Sequence, residues 1–409
     1  MSAALLVDRV VVGDGAVLGP STVVVGSDGR IARIVPGHAS GLAEREVRFG
    51  KDTTLLPGFI DTHVHLSIFS GDYQLDLVRL TAEDRALGAL AAAQGLVRAG
   101  FTTLRSAGDA DALGFASFAV ARAVDSGVFE GPRIVGAGHY ISVTGGGGDV
   151  SAFRGRCVAA DGLVADGAEE MRLAVRRELR GGADWIKLLA TGAFMAASAR
   201  DSPEFTHVTE AELRACVEEA SLRGVPVMAH AHGARGIELC ARAGVRSIEH
   251  GSFIDDAGID ACLQNDVYLV PTLQVGHFDF SAATMQERSM RLMRETSERH
   301  RRCIRRAVQR GVKLALGSDY CGWNPALSAR EFAHMAAVGL SPAEAVRAGT
   351  LGAAEMLRLE RDIGSVHVGK CADLVVVAGD PLADLTLLET AVVAVFRNGK
   401  QVAMQSAKL

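Results

Sequence analysis

Apolar and polar positions follow one rhythm at the two ends of this chain and another between them. Short apolar runs separated by Gly and Asp occupy residues 5–7, 10–12 and 22–25 near one end and residues 373–377 and 392–396 near the other. The last run is followed by Asn398-Gly399, a strong hairpin signal. Because neither end is long enough to bury a core alone, we expect residues 1–56 and 360–409 to pair into one small β-sandwich domain.

The middle of the chain, residues 57–359, alternates short apolar runs with helical patterns. The runs lie at residues 59–60, 101–104, 133–135, 185–189, 225–228, 247–248, 268–270 and 312–316. Capping boxes predict helix starts at Thr209 and at Ser341, the latter with Pro342 in the first helical position. This alternation predicts an α/β protein with a (β/α)8 TIM barrel. An open doubly wound sheet is the alternative, and ionisable residues directly after the apolar runs favour the barrel.

Histidines and an aspartate end several of the predicted strands. His63 and His65 are two residues apart, so on a strand both would face the barrel axis and could bind one cation. Alone they could also be a polar pair in the core. His230, His250 and Asp319 end the fifth, sixth and eighth predicted strands. Because buried ionisable side chains are costly to leave unpaired, their convergence on one mouth predicts a metal centre.

Lys187 lies inside an apolar strand, which is unusual for a lysine. Three interpretations stay open from the residue alone. The side chain could extend its ammonium to water, it could form a Schiff base, or its neutral amine could react with CO2 to give a carbamate that bridges two cations. The third fits best with the neighbouring ligands, since an ammonium would repel both ions.

Composition narrows the class of protein. The chain has 409 residues, 48% hydrophobic and 22% charged, with a formal net charge of −5. Its charges form no basic stripe and no apolar segment reaches the length of a membrane span, so we expect no nucleic-acid or membrane partner. The start carries no secretory-signal pattern, and the seven cysteines show no CxxC spacing, which favours a cytoplasmic protein.

Several motifs together resemble the amidohydrolase superfamily, over nearly the whole chain. They are residues 57–65, Lys187, His230, His250, Ser318-Asp319 and residues 364–376. Residues 138–149 look like the branch of Xaa-Pro and Xaa-Arg dipeptidases, with ochratoxin-type amidases and imidazolonepropionase-like proteins as near relatives. Relatives often carry a histidine in the glycine run, where this chain has only Gly145 to Gly148. That run is either a mobile active-site loop or a plain connector.

The resemblance implies a site with two divalent ions, usually Zn²⁺, and a homo-oligomer. His63 and His65, with Asp319, would bind the more buried ion, His230 and His250 the second, and carboxylated Lys187 would bridge them. A bridging hydroxide would attack an amide carbonyl. Asp319 would act as base and then acid, and His139 would donate a hydrogen bond to the oxyanion. His139 could instead be a satisfied core residue.

The substrate expected from this resemblance is a small molecule, a dipeptide or an N-acyl amino acid. Candidate contacts to it are His139, Tyr140, His232, Arg105, Arg154 and Arg200. His232 could equally orient other site residues, and each arginine could be a surface residue. Two alternatives remain: hydrolysis of another C–N or C–O bond, such as that of a cyclic amide, a carbamate, a urea or an ochratoxin-like amide or ester, and a scaffold without catalysis.

Overall fold

The computed structural model describes residues 2–68, 79–109, 114–149, 162–194, 201–277 and 287–404. The strands are β1 Ala3–Val7, β2 Arg9–Val11, β3 Val17–Leu18, β4 Ser21–Val25, β5 Ile31–Pro36, β6 Arg45–Arg48, β7 Thr53–Pro57, β8 Phe59–Val64, β9 Phe101–Ser106, β10 Arg133–Gly136, β11 Tyr140–Ser142, β12 Leu163–Val164, β13 Ile186–Leu189, β14 Val227–Ala231, β15 Ser247–His250, β16 Tyr268–Val270, β17 Leu374–Ala378, β18 Val392–Arg397 and β19 Lys400–Met404.

The helices lie mostly between the strands of the middle region. They are α1 Ala82–Arg98, α2 Ala116–Asp125, α3 Gly167–Gly181, α4 Glu210–Ser221, α5 Ala234–Ala243, α6 Asp256–Gln264, α7 Glu287–Gln309, α8 Arg330–Ala337, α9 Pro342–Ala348, α10 Leu351–Leu357 and α11 Leu387–Thr390. Short 3₁₀ helices span Leu273–His277 and Pro325–Ala329. In the part of the chain that the structure describes, no helix is both long enough and apolar enough to cross a bilayer.

The terminal strands form two sheets. One has the order β19-β18-β17-β7-β2-β3 and joins both ends of the chain, with β17 antiparallel to β7 in the register Leu374↔Pro57. The other, β5-β4-β1-β6, comes from the N-terminal strands. One apolar cluster contains Leu5 and Phe49 from one end together with Phe396 from the other. This shared cluster supports the predicted pairing of the termini.

The middle region forms parallel sheets with the orders β10-β9-β8 and β12-β11-β13-β14-β15-β16. Neighbouring strands in both sheets run parallel, and most are joined through helices. The α/β class is therefore confirmed, with parallel strands consistent with a TIM-barrel-like fold. The carboxyl ends of β8, β14 and β15 carry His63, His230 and His250, and β13 carries Lys187.

Residues 312–316 differ from their prediction as a strand. They form a single bridge, Leu269↔Leu314, rather than a ladder. Their backbone nevertheless bonds on both sides: Ala315 N donates to Leu269 O at 3.1 Å, and Thr62 N donates to Leu316 O at 2.9 Å. The segment thus lies between β16 and β8, and few of its peptide groups meet the ladder geometry that a strand requires.

Local signals in the sequence are confirmed at two helix starts and one turn. Thr209 caps α4 and Ser341 caps α9, each in a capping box with the acidic residue three positions later. Asn398 and Gly399 have φ of 48° and 72° in the hairpin between β18 and β19. Both dihedrals are left-handed, as a tight hairpin turn requires.

Truncating Phe396 tests the packing between the two ends of the chain. Its buried ring lies 6.4 Å from the Phe49 ring, centroid to centroid. We expect Phe396→Ala to lower the free energy of unfolding by about 3–5 kcal/mol, because the cavity cannot fully collapse. Urea unfolding followed by circular dichroism measures this. Val368→Ala, at a side chain that is 62% exposed, is the control and should change little; equal stability of both variants would contradict the shared core.

Candidate metal centre

Two groups of potential ligands lie at the carboxyl ends of the parallel strands. The first group is His63, His65 and Asp319, and the second is His230, His232 and His250. Within each group the ligand atoms lie within 4.8 Å of one another. Residues i and i+2 of a strand share a face, which explains why His63 and His65, and likewise His230 and His232, point the same way.

The first group surrounds one carboxylate oxygen. His63 Nε2 and His65 Nε2 each lie 3.4 Å from Asp319 Oδ1. His63 Nε2 is buried and has no hydrogen-bond partner. The other nitrogen of each ring, Nδ1, is fixed by a hydrogen bond. His65 Nδ1 donates to Gly108 O at 3.0 Å, and His63 Nδ1 donates to Glu249 Oε2 at 2.7 Å. Both rings therefore present an Nε2 lone pair towards Asp319.

The second group shows the same anchoring. His230 Nε2 donates to Gly192 O at 3.2 Å, which leaves its Nδ1 lone pair free. His250 Nδ1 lies 2.7 Å from Thr272 Oγ1, and His232 Nδ1 lies 2.8 Å from Ser252 Oγ. Each ring thus has one nitrogen fixed by a neighbour, and metal-binding histidines are oriented in this way.

Burial keeps the His63, His230, His232 and His250 rings neutral. It lowers the pKa of His63 to about 4 and that of His230 to about 3, and Lys187 adds to both effects. Burial opposes the charged form of Asp319 as well, but the nearby His63, His65 and Lys187 together outweigh burial, and the pKa of Asp319 lies below its usual range. Neutral imidazoles and carboxylates are both donors that divalent ions such as Zn²⁺ accept, so both groups fit a metal ion.

Lys187 is fully buried on β13, next to the strand β14 that carries His230. It is close enough to act electrostatically on His63 and Asp319 of the first group and on His230 of the second. Burial lowers the pKa of Lys187 to about 8, so a neutral amine is accessible near neutral pH. A neutral amine is the form that can react with CO2.

Asp61 supports the first group, although the sequence reasoning did not single it out. Its Oδ1 accepts from the backbone N of His63 at 3.1 Å and of Ser318 at 3.0 Å, and its Oδ2 accepts from Ser318 Oγ at 2.5 Å. Burial raises the pKa of Asp61 to about 7. Asp61 thus ties the strand of His63 to the residue before Asp319. Its position two residues before His63, on the same face of the strand, was the signal in the sequence that could have identified it.

Left-handed backbone turns two of the candidate ligands, His250 and Asp319, into the site. His250 has φ of 70° and Asp319 has φ of 58°, conformations that a residue with a side chain adopts rarely. On β15 the side chain of Glu249 faces the interior, so regular alternation would send His250 outwards. The left-handed residue breaks that alternation. Such outliers concentrate at functional sites.

Arg105 does not lie where a substrate ligand should. The sequence suggests it as a contact for a substrate carboxylate, but its guanidinium is fully buried, and its Nη2 donates to Glu249 Oε1 at 2.9 Å. Arg105 also donates through Nε to Thr62 O at 2.6 Å. This geometry corrects the expectation, since a ligand at the mouth cannot reach the guanidinium. Glu249, its partner, was missed by the sequence reasoning.

The other predicted contacts have different surroundings. His139 is buried, with Nδ1 at 3.1 Å from Glu178 Oε1 and Nε2 at 2.9 Å from Gly114 O. A hydrogen bond to an oxyanion would require the ring to give up one of these partners. Tyr140 is paired with Lys187 in the sheet register, and its ring packs on Gly148, where an added Cβ would lie 2.9 Å from the ring. Arg154 and Arg200 lie outside the described residues.

The glycine run forms a hydrogen-bonded turn. Gly145 N donates to Asp149 Oδ2 at 2.7 Å, and Gly148 N donates to Ser142 Oγ at 3.2 Å. Gly145 is left-handed, with φ of 75°. The turn therefore uses glycine for backbone conformation and for close packing on Tyr140, next to the strand that carries Lys187.

Comparison with known protein families identifies the family of this chain. The model of the amidohydrolase family matches residues 54–402, a span that contains every candidate ligand of both groups. The chain belongs to the amidohydrolase family. This confirms the resemblance predicted from the motifs.

Proteins similar to this amidohydrolase include an ochratoxinase, a Xaa-Pro dipeptidase and a prolidase. Ochratoxinase from Aspergillus niger is 30% identical over 418 residues, which cover 95% of this chain and 84% of that protein. The crystal structure of a Xaa-Pro dipeptidase with methionine bound in its active site has a TM-score of 0.89 and 29% identity, and covers 99% of this chain and 100% of that one. A prolidase complexed with N-methylphosphonate-L-proline has a TM-score of 0.90 and 31% identity, with the same coverage. This amidohydrolase is a metal-dependent hydrolase.

Removing one ligand from each group tests whether they hold separate ions. We expect His65→Ala and His250→Ala each to bind about one divalent ion per chain fewer than the unchanged protein, because each variant loses one of the three side chains that its group brings together. Elemental analysis after dialysis against buffered Zn²⁺ gives the content. His367→Ala, at a side chain that is 52% exposed, is the matched control. Unchanged content in both ligand variants would contradict the two groups as ion sites.

Proposed function

We propose that this amidohydrolase is a binuclear enzyme that cleaves the amide bond of a dipeptide or an N-acyl amino acid. The observation that carries the proposal is Lys187, fully buried and acting electrostatically on members of both ligand groups. As an ammonium it would repel a cation at either group. As a carbamate, formed when neutral Nζ adds to CO2 and releases a proton, it would supply an anionic oxygen to each.

The ligand sets divide between the two ions. His63, His65 and Asp319 would hold one, His230 and His250 the other, and the Lys187 carbamate both. When bound, such a pair of ions, most simply Zn²⁺, polarises a carbonyl group and lowers the pKa of water, so that hydroxide is available for attack near neutral pH. His232 lies close enough to His230 and His250 to be either a further ligand or a substrate contact.

Asp319 would move the proton. Its side chain is 20% exposed, whereas His63 beside it is fully buried, so the carboxylate reaches the open side of the site. From there it can accept a proton from the attacking water and pass it to the leaving nitrogen. The pKa of Asp319 lies below its usual range, so the carboxylate is ionised before it accepts that proton.

The proposed substrate class is supported by the relatives and by an aromatic side chain beside the candidate ligands. Methionine and a phosphonate derivative of proline occupy two similar enzymes, and both carry an amino-acid carboxylate. A phosphonate is tetrahedral at phosphorus, as the carbon is during amide hydrolysis. Ochratoxinase, the relative at 30% identity, favours an ochratoxin-like amide as the second candidate. The Phe194 ring, 4.6 Å from the His232 ring, offers apolar contact to a bulky acyl group of that kind.

We also propose that the parallel strands close into a (β/α)8 barrel at residues 57–359, with residues 1–56 and 360–409 as the composite β-sandwich domain. Support for closure comes from the backbone bonds of residues 312–316 to β16 and β8. The shared apolar cluster supports the second domain.

A substrate panel tests the function. Zinc-loaded protein, prepared with bicarbonate, is incubated with Xaa-Pro and Xaa-Met dipeptides, N-acyl amino acids, ochratoxin, cyclic amides, ureas and esters, and release of amino acid is measured with ninhydrin or by mass spectrometry. We expect amino acid release from dipeptides or N-acyl amino acids. Hydrolysis of only the cyclic amides, ureas or esters would overturn the proposed substrate class.

Asp319→Asn separates proton transfer from ion binding. The amide oxygen can still face an ion, but the side chain can no longer accept a proton at neutral pH. We expect kcat to fall by about 10²–10⁴-fold with nearly unchanged ion content, since this is the range of general acid–base catalysis. Ser328→Ala, a buried residue next to Trp323 rather than at the ligands, is the control. A near-normal rate for Asp319→Asn would exclude the proton-transfer role.

A further inference from the structure

Arg105 contacts three other strand segments that lead to ligands. Its Nε donates to the backbone O of Thr62, the residue before His63. Its Nη2 donates to Glu249, the residue before His250. Its guanidinium lies over the Trp185 ring at 4.4 Å, two residues before Lys187. One side chain on β9 therefore contacts the strand segments of His63, His250 and Lys187. Glu249 links it to the His63 ring, whereas the His250 ring is anchored separately by Thr272.

Glu249 links Arg105 to the ring of His63. Its Oε1 accepts from Arg105 Nη2 at 2.9 Å and from Ser247 Oγ at 2.5 Å, while its Oε2 accepts from His63 Nδ1 at 2.7 Å. Both carboxylate oxygens are thus occupied, and Arg105 and Glu249 are fully buried. With Nδ1 of His63 fixed as the donor, Nε2 carries the lone pair and has no hydrogen-bond partner.

Charge explains why both residues of the pair are needed. A buried carboxylate without a cation, or a buried guanidinium without an anion, is strongly unfavourable. The planar guanidinium supplies donors in fixed directions, here to Thr62, to Ser247 Oγ at 2.9 Å and to Glu249. A lysine at position 105 could keep the charge but could not reproduce these three directions.

We propose that Arg105 and Glu249 form a positioning pair that fixes the His63 ring for the ion of the first ligand group. This inference rests on the proposed function, because it concerns the same metal centre. The pair acts through His63 and touches neither substrate nor reacting atoms. Its loss loosens the His63 ring and weakens the first ion, while the ligands of the second group keep their own anchors, Gly192 O, Thr272 and Ser252.

The test measures ion affinity in the whole protein without substrate. Apo-protein made with a chelator is titrated with Zn²⁺ against a competing indicator, for the unchanged protein and for Glu249→Gln, Arg105→Lys and Arg105→Met/Glu249→Gln. Partners that orient metal ligands are worth about 10–100-fold in affinity. We expect a loss of this size at one of two ions for each variant, and an altered visible spectrum when Co²⁺ replaces that ion.

The double variant separates positioning from folding. Arg105→Met alone leaves a buried unpaired carboxylate and should lower Tm, whereas the double variant removes both charges and should recover much of the Tm without recovering the ion affinity. The control is Arg133→Met/Asp373→Asn, which removes a largely buried pair with a 2.7 Å contact away from the ligands. That control should keep both ion affinities and the Co²⁺ spectrum.

Each result has a defined meaning. Two ions of unchanged affinity in Glu249→Gln and in the double variant would overturn the positioning pair and leave the proposed function intact. An unchanged protein that binds no ion with bicarbonate present would instead overturn the proposed function itself. Equal weakening of both ions would also overturn this inference, because the second group would then depend on the same pair.

Discussion

Electrostatic crowding at the carboxyl ends of the parallel strands is the constraint on which this site depends. Four buried imidazoles, a buried lysine and a carboxylate lie within reach of one another. Burial removes the water that would stabilise their charges, and Lys187 adds to the fall in the pKa of His63 and of His230. What remains is a set of lone pairs aimed inwards. A divalent cation is the partner that satisfies lone pairs of this kind without a proton.

The pattern of the sequence predicts much of this arrangement because strand alternation is a local rule. It places His63 beside His65, and the ends of β14 and β15 beside each other, without knowledge of the loops. The structure brings these residues together with Asp319, while their roles as ligands stay predictions. His250 shows the limit of the rule, since its φ of 70° reverses the alternation after Glu249. Nothing in the residue types around it announces a left-handed histidine.

Arg105 and Glu249 show a second limit. The sequence displays an arginine near a strand end, but whether its guanidinium faces solvent, substrate or a carboxylate depends on a partner 144 positions away. The same holds for Asp61 and Ser318, whose contact spans 257 positions. Capping boxes at Thr209 and Ser341 were predictable because both partners lie within one turn. Long-range polar pairs thus mark the part of the site that local patterns do not reach.

The two ligand groups also differ in charge, and Lys187 is the residue that can balance them. The first group includes the Asp319 carboxylate and rests on the buried carboxylate of Glu249 through His63. The second consists of neutral imidazoles whose anchors are hydroxyl and carbonyl groups. An ion at the second group therefore has no negative ligand among the described residues unless Lys187 provides one. A protonated Lys187 would disfavour that ion most, whereas a carbamate would supply the missing charge. Under the proposed function, the same buried amine would determine whether the second group holds an ion as firmly as the first.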